Sequence, residues 1–186
     1  MKKYFLFVAS AIILSACTNS GNPGNNANPR KDRIEITNDL ENAKGIVPSW
    51  FNEKHVIAMT SPAAHSGNNA CITADTAEFS YQYQELLKNI NNEVPKRVVF
   101  SGWGYTTVAN PKFSVICNIS ENQKLYNWKA FPLDNDLKET GKWVEFSADF
   151  YLDDKPLKPE MEIRLYAWNQ AKVPVYIDDL KVTFLY

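Results

Sequence analysis

Lys142-Trp143-Val144-Glu145-Phe146-Ser147-Ala148-Asp149-Phe150-Tyr151-Leu152 alternates with a period of two. Val144, Phe146, Ala148, Phe150 and Leu152 make one apolar side, and Glu145, Ser147 and Asp149 make the other. Side chains on a strand point to opposite faces in turn, so this stretch predicts a half-buried antiparallel strand. The pattern recurs upstream, where Phe113, Val115, Cys117 and Ile119 oppose Lys112, Ser114, Asn118 and Ser120, with Ile116 as the exception. Downstream, Ile163, Leu165 and Ala167 oppose Glu162 and Arg164.

Further strands are expected at Ile34–Thr37, His55–Thr60, Ala70–Ala74, Glu78–Tyr83 and Arg97–Thr106. Helical spacing is confined to a turn or two in Tyr83–Ile90. Polar turns such as Ser66-Gly67-Asn68-Asn69 and Thr140-Gly141 separate the strands, and Asn169–Lys172 reads as a hairpin tip joining the last two. Many short strands with polar turns predict an all-β fold, a jelly-roll sandwich of two antiparallel sheets. Near the C-terminus the phase slips. Val175 and Ile177 are apolar at odd positions, and Leu180, Val182 and Phe184 at even ones. A β-bulge at Asp178-Asp179 reconciles the two registers. Two adjacent carboxylates there call for solvent or a bound cation.

The N-terminus reads as an export signal. Lys2 and Lys3 precede an apolar run from Tyr4 to Leu14, too short for the about 20 residues of a membrane-spanning helix. Leu14-Ser15-Ala16-Cys17 resembles the lipobox of bacterial lipoproteins, in which the cysteine is acylated after cleavage. This implies residues 1–16 as signal peptide, a lipid such as palmitate on Cys17, and membrane contact through that anchor alone. Thr18 in place of Asp resembles an outer-membrane sorting signal, with the domain facing the cell surface or the periplasm. Residues 17–30, rich in Asn, Gly and Ser, are expected to be a flexible linker, and 31–186 a single domain. Cleavage removes Lys2 and Lys3 from 20 basic side chains, leaving 18 against 21 acidic ones. That balance argues against nucleic acid. Cys71 and Cys117 read as buried thiols, with a disulfide as the alternative in an exported chain.

The order of several motifs resembles the galactose-binding-like jelly-roll family, which includes many carbohydrate-binding modules. Those motifs are Thr37-Asn38-Asp39-Leu40-Glu41-Asn42 with Trp50 soon after, Ser66-Gly67-Asn68-Asn69-Ala70, Val98-Val99-Phe100-Ser101-Gly102-Trp103, Lys142-Trp143-Val144-Glu145-Phe146 and Val175-Tyr176-Ile177-Asp178-Asp179-Leu180-Lys181-Val182. The likeness spans about Ile34 to Tyr186. Leu40 departs from it where an aromatic is common, as does the long segment Gln82–Pro95. The resemblance implies one structural calcium ion held by Glu41, the Gly67–Asn68 backbone and Asp178, with Asp39 and Asn68 as secondary ligands; calcium takes several oxygen ligands. Solvation, or pairing with Lys181, is the competing account of these acids.

Exposed rings beside polar groups suit stacking on sugars. Tyr166 and Trp168 lie on the polar side of their strand and form the preferred ligand-binding pair, with Arg164 beside them. Trp128 follows, in a segment read as polar and loop-like. Asn127 and Asn169 are further polar candidates. Trp50 and Trp143 are expected to be structural, as strand aromatics commonly are. The chain holds two histidines, His55 and His65, and no HExxH, nucleophile elbow or phosphate loop. The expectation is a glycan-binding, non-catalytic lipoprotein. The alternative is a structural module for protein partners in the cell envelope.

Overall fold

In the computed structural model, which describes residues 32–42 and 47–186, the alternating stretches are strands. The signal segment 1–16, Cys17 and the linker 17–30 lie outside the described residues. All strands belong to the unit Lys31–Tyr186. They run in order β1 (Arg33–Asn38), β2 (Trp50–Phe51), β3 (Val56–Ala58), β4 (Asn69–Thr73) and β5 (Gln82–Leu86). A one-turn helix α1 (Leu87–Ile90) precedes β6 (Arg97–Thr106), β7 (Phe113–Glu121), β8 (Lys124–Pro132), β9 (Trp143–Tyr151), β10 (Glu162–Asn169) and β11 (Val175–Leu185).

Two antiparallel sheets face each other. A six-stranded sheet has the order β3-β4-β11-β6-β9, with β1 also paired to β11; a five-stranded sheet has the order β2-β5-β10-β7-β8. The alternating apolar sides meet between them. Val98, Phe100, Phe146, Ala148, Val182 and Phe184 of the first sheet, and Val115, Ile119, Ile163 and Leu165 of the second, are buried. Tyr83 and Phe184 bridge the sheets with ring centroids 5.9 Å apart. Among the described residues, no helix is long and apolar enough to cross a membrane.

The expected bulge is present. Strand β11 is in register with β6 at Asp178↔Trp103 and again at Lys181↔Ser101, so one extra residue sits on β11. Asp179 takes that strain at φ 48°. Val175, Ile177, Leu180, Val182 and Phe184 consequently all point inward. Cys71 and Cys117 are free and buried.

Three expectations are corrected. Residues Asn169–Lys172 do not close a hairpin, because β10 pairs with β5 and β7 while β11 pairs with β1, β4 and β6. Both strands are apolar toward the core, so the connection arches over from one sheet to the other; buried Asn169 tethers it through Nδ2 to Thr73 Oγ1 and the Val173 carbonyl. Trp128 sits in a regular strand, not a loop. Strand β8 is a sheet edge with polar residues on both faces, which hid its alternation; Asn122 and Gln123, both at positive φ, make the tight turn from β7. The expected strand Glu78–Tyr83 is displaced to Gln82–Leu86, with Phe79 and Ser80 joining β10 through an isolated bridge and a Ser80 N–H to Ala167 bond.

Phe146 is fully buried where the sheets meet. Phe146→Ala should lower the unfolding free energy by about 3–5 kcal/mol, read by urea denaturation.

Candidate functional site

Strand β10 turns Ile163, Leu165 and Ala167 into the core, so Arg164, Tyr166 and Trp168 stand on the outer face of the five-stranded sheet. Cross-strand pairing extends that face. Arg164 is opposite Gln84 on β5 and Asn118 on β7, and Asn118 is opposite Trp128 on β8. Trp128, Asn118, Arg164 and Gln84 therefore form one row across four strands, with about 4.8 Å between neighbours. Ile116, the exception in its strand's alternation, is buried on this face opposite Tyr166.

A groove of about 220 Å³ runs over the face, lined by Asn52, Phe79, Gln82, Asn118, Arg164 and Tyr166. Phe79 stands edge-on to Tyr166 at 5.5 Å and stacks near Trp168 at 6.4 Å, while remaining 44% exposed. Its backbone carbonyl is bonded to His55 Nδ1 at 2.8 Å, and Asn52 Nδ2 donates to the next carbonyl at 3.3 Å. Burial pushes the Tyr166 phenol above its ordinary pKa, partly offset by hydrogen bonds with Trp128 and Asn118. The hydroxyl is thus neutral and held in place.

Of the residues expected to bind a ligand, Tyr166, Arg164 and Trp128 are gathered here, with Trp128 45% exposed at the β8 edge. Trp168 is half-buried, and its indole N–H finds no acceptor among the described residues; its ring backs Phe79. Asn127 and Asn169 are on the buried side and do not reach the face. Phe79, Gln82, Asn52 and Asn118 were missed, since no sequence signal separates these from ordinary surface residues. Trp50 and Trp143 are structural. Trp50 stacks on Tyr81 in the core, and Trp143 Nε1 donates to the Ala63 carbonyl.

The acids proposed for calcium do converge on one turn, but through N–H donors. Glu41 Oε1 accepts the amides of Asn68 and Asn69 at 2.9 and 2.8 Å, and Oε2 accepts Asn69 Nδ2. These amides, that of Asn68 first, hold the Glu41 pKa below its ordinary value. The carboxylate fills the space where any Cβ on Gly67, at φ +56°, would stand. Asp178 Oδ2 accepts the amides of His65 and Ser66, and Oδ1 accepts that of Asp179. Asp179 in turn holds His65 Nδ1 and Ser66 Oγ. Asp39 Oδ1 accepts the Glu41 amide. Each oxygen of Glu41 and Asp178 already faces a hydrogen-bond donor that supplies positive partial charge. This arrangement does not fit a calcium ion.

A larger cavity, about 410 Å³, lies at the bulge on the opposite sheet beside Trp103, Glu145, Asp179 and Lys181. Among the described residues Trp103 is its one aromatic wall, and His65 covers a face of that ring at 3.9 Å. Neither cysteine offers a nucleophile, because burial pushes both thiols up to about 12.

No family model matches the chain, and no curated protein matches it. Several solved structures are similar in fold. The first xylan-binding domain of Paenibacillus barcinonensis Xyn10C has a TM-score of 0.48 and 16% identity, over 81% of this chain and 93% of that one. The C-terminal family 22 module of Clostridium thermocellum Xyn10B has a TM-score of 0.43 and 12% identity, over 81% and 92%. TmCBM61, solved with β-1,4-galactotriose, has a TM-score of 0.40 and 16% identity, over 78% and 97%. All are carbohydrate-binding modules, the kind of domain the motif order resembles. Likeness at this level does not transfer a ligand, which must follow from the face itself.

Burial raises the Asp178 carboxyl from 3.8 to about 6, against the lowering by its backbone bonds. The folded state therefore holds this proton more tightly than the unfolded chain. The protonated form's advantage is complete below about pH 3.8 and is lost as pH rises to about 6. The unfolding free energy of the wild type minus that of Asp178→Asn should fall across that window, by about 2–3 kcal/mol. Urea melts of both proteins at stepped pH measure it; a difference that rises with pH contradicts the burial argument.

Proposed function

We propose that the outer face of the five-stranded sheet binds a glycan without catalysis. One observation carries the reading: an open Phe79 ring, a half-buried Tyr166 and neutral amides share a single groove. Phe79 and Tyr166 supply apolar surfaces, and Asn52, Gln82 and Asn118 supply hydrogen-bonding amides. A sugar ring has apolar C–H faces and a rim of hydroxyls, so aromatic planes flanked by amides complement it. A protein partner would favour a flat apolar patch, whereas polar side chains interrupt this one. The row from Trp128 to Gln84 crosses four strands, a span of about 15 Å, which suits several sugars of a chain rather than one.

Affinity follows from rigid display. Phe79 is pinned by the His55 and Asn52 contacts to its segment, and Tyr166 is held by its edge contact with Phe79 and by hydrogen bonds with Trp128 and Asn118. Rings already held in place lose little entropy on binding. The same reading keeps the lipid on Cys17 as the tether that holds the domain at a membrane, as the N-terminal motif implies.

A glycan array with the wild-type protein should give polysaccharide hits. Phe79→Ala should weaken them about tenfold, since one aromatic contact is worth about 1–1.5 kcal/mol, with little change in melting temperature because the ring is exposed. An array without hits removes the reading. Labelled palmitate should enter the wild type and not Cys17→Ser; equal labelling of both would refute the anchor.

A further inference from the structure

We infer that the groove selects anionic glycans, those bearing uronic acid carboxylates; the inference rests on the glycan reading and adds its chemical class. Six residues line the groove, and Arg164 is the sole charged one among them. The other five are three amides and two aromatic rings. Its cross-strand neighbours Gln84 and Asn118 are also neutral. No carboxylate lines this groove among the described residues, although acidic side chains outnumber basic ones in the chain as a whole, 21 to 20.

The guanidinium is aimed rather than quenched. Glu162, outside the groove wall, takes Arg164 Nε and Nη2 on a single oxygen, Oε1, each at 2.9 Å. Its other oxygen accepts Gln84 Nε2 at 2.7 Å. Glu162 is thus a positioning residue that fixes both the arginine and the amide beside it. Five N–H groups belong to a guanidinium, so three remain for a ligand. The side chain stays 42% exposed. A uronate carboxylate can take two of those donors at once, a stronger and more directional contact than a hydroxyl makes. Phe79, the more exposed ring, then lies under the sugar's apolar face, Tyr166 stands edge-on beside it, and the neighbouring amides meet the hydroxyls. A neutral sugar leaves the guanidinium without a charged ligand.

The test compares binding to polygalacturonate, alginate and hyaluronan with binding to their carboxyl-reduced forms and to neutral xylan, galactan and β-glucan. The full protein should bind at least one polyuronate about tenfold more tightly than its reduced form, the worth of one charge-assisted pair. Added salt should narrow the gap, since a half-exposed ion pair is screened. In Arg164→Gln the preference should vanish, read as the ratio of polyuronate affinity to carboxyl-reduced affinity within that same variant. Neutral polymers bound equally well or better would overturn the charge selectivity and leave glycan binding standing. A preference that survives Arg164→Gln would overturn the role of Arg164. Silence across both panels would remove glycan binding and the uronate proposal together.

Discussion

One extra residue in β11 sets the terms for the whole molecule. This strand pairs with β1, β4 and β6, so its register fixes most of the six-stranded sheet. Without the bulge, one half of the strand would turn its apolar side to water, because a one-residue slip exchanges the faces. The bulge also places Asp178 and Asp179 where neither could be left unpaired. Backbone amides of His65 and Ser66 and the His65 ring satisfy them and draw the connection between β3 and β4 onto the sheet. Glu41 grips the other end of the same turn. A conformational adjustment made for core packing thereby organises a long surface loop.

That loop decides how the two outer faces differ. On the six-stranded sheet, the aromatic side chains near the bulge are consumed by contacts with one another and with the loop, while Tyr151 at the far end of β9 stays 59% exposed beside Arg97. His65 stacks on Trp103, Trp143 reaches Ala63, and Tyr105 packs against Trp143 and Tyr176. On the outer face of the five-stranded sheet, Phe79 and Trp128 remain open, at 44% and 45% exposure. Whether a ring is open or covered thus depends on what packs against it, not on its residue type.

Within the open face, rigidity comes from second neighbours. His55 and Asn52 hold the Phe79 segment, Trp128 and Asn118 hold the Tyr166 hydroxyl, and Glu162 holds Arg164. Such supports lower the entropy lost when a ligand arrives. Trp168, whose buried indole N–H finds no partner among the described residues, stacks near Phe79 at 6.4 Å.

Period-two alternation alone was enough to read the β class, most strands and the bulge, because side-chain facing follows from backbone geometry within one strand. It also brought out Tyr166 and Arg164, whose strand alternates cleanly. Strand β8 escaped it, since an edge strand buries little and carries no strong pattern. The supposed hairpin between β10 and β11 failed because apolar patterning states that a strand faces a core, not which sheet it joins. Phe79, Asn52 and Gln82 come from separate segments and meet Asn118 and Tyr166 only through sheet pairing. The sequence by itself determined which way each strand faces, a local property of the chain. Only the tertiary structure decided which rings stay open and which charge they surround, because those depend on contacts between residues far apart in the chain.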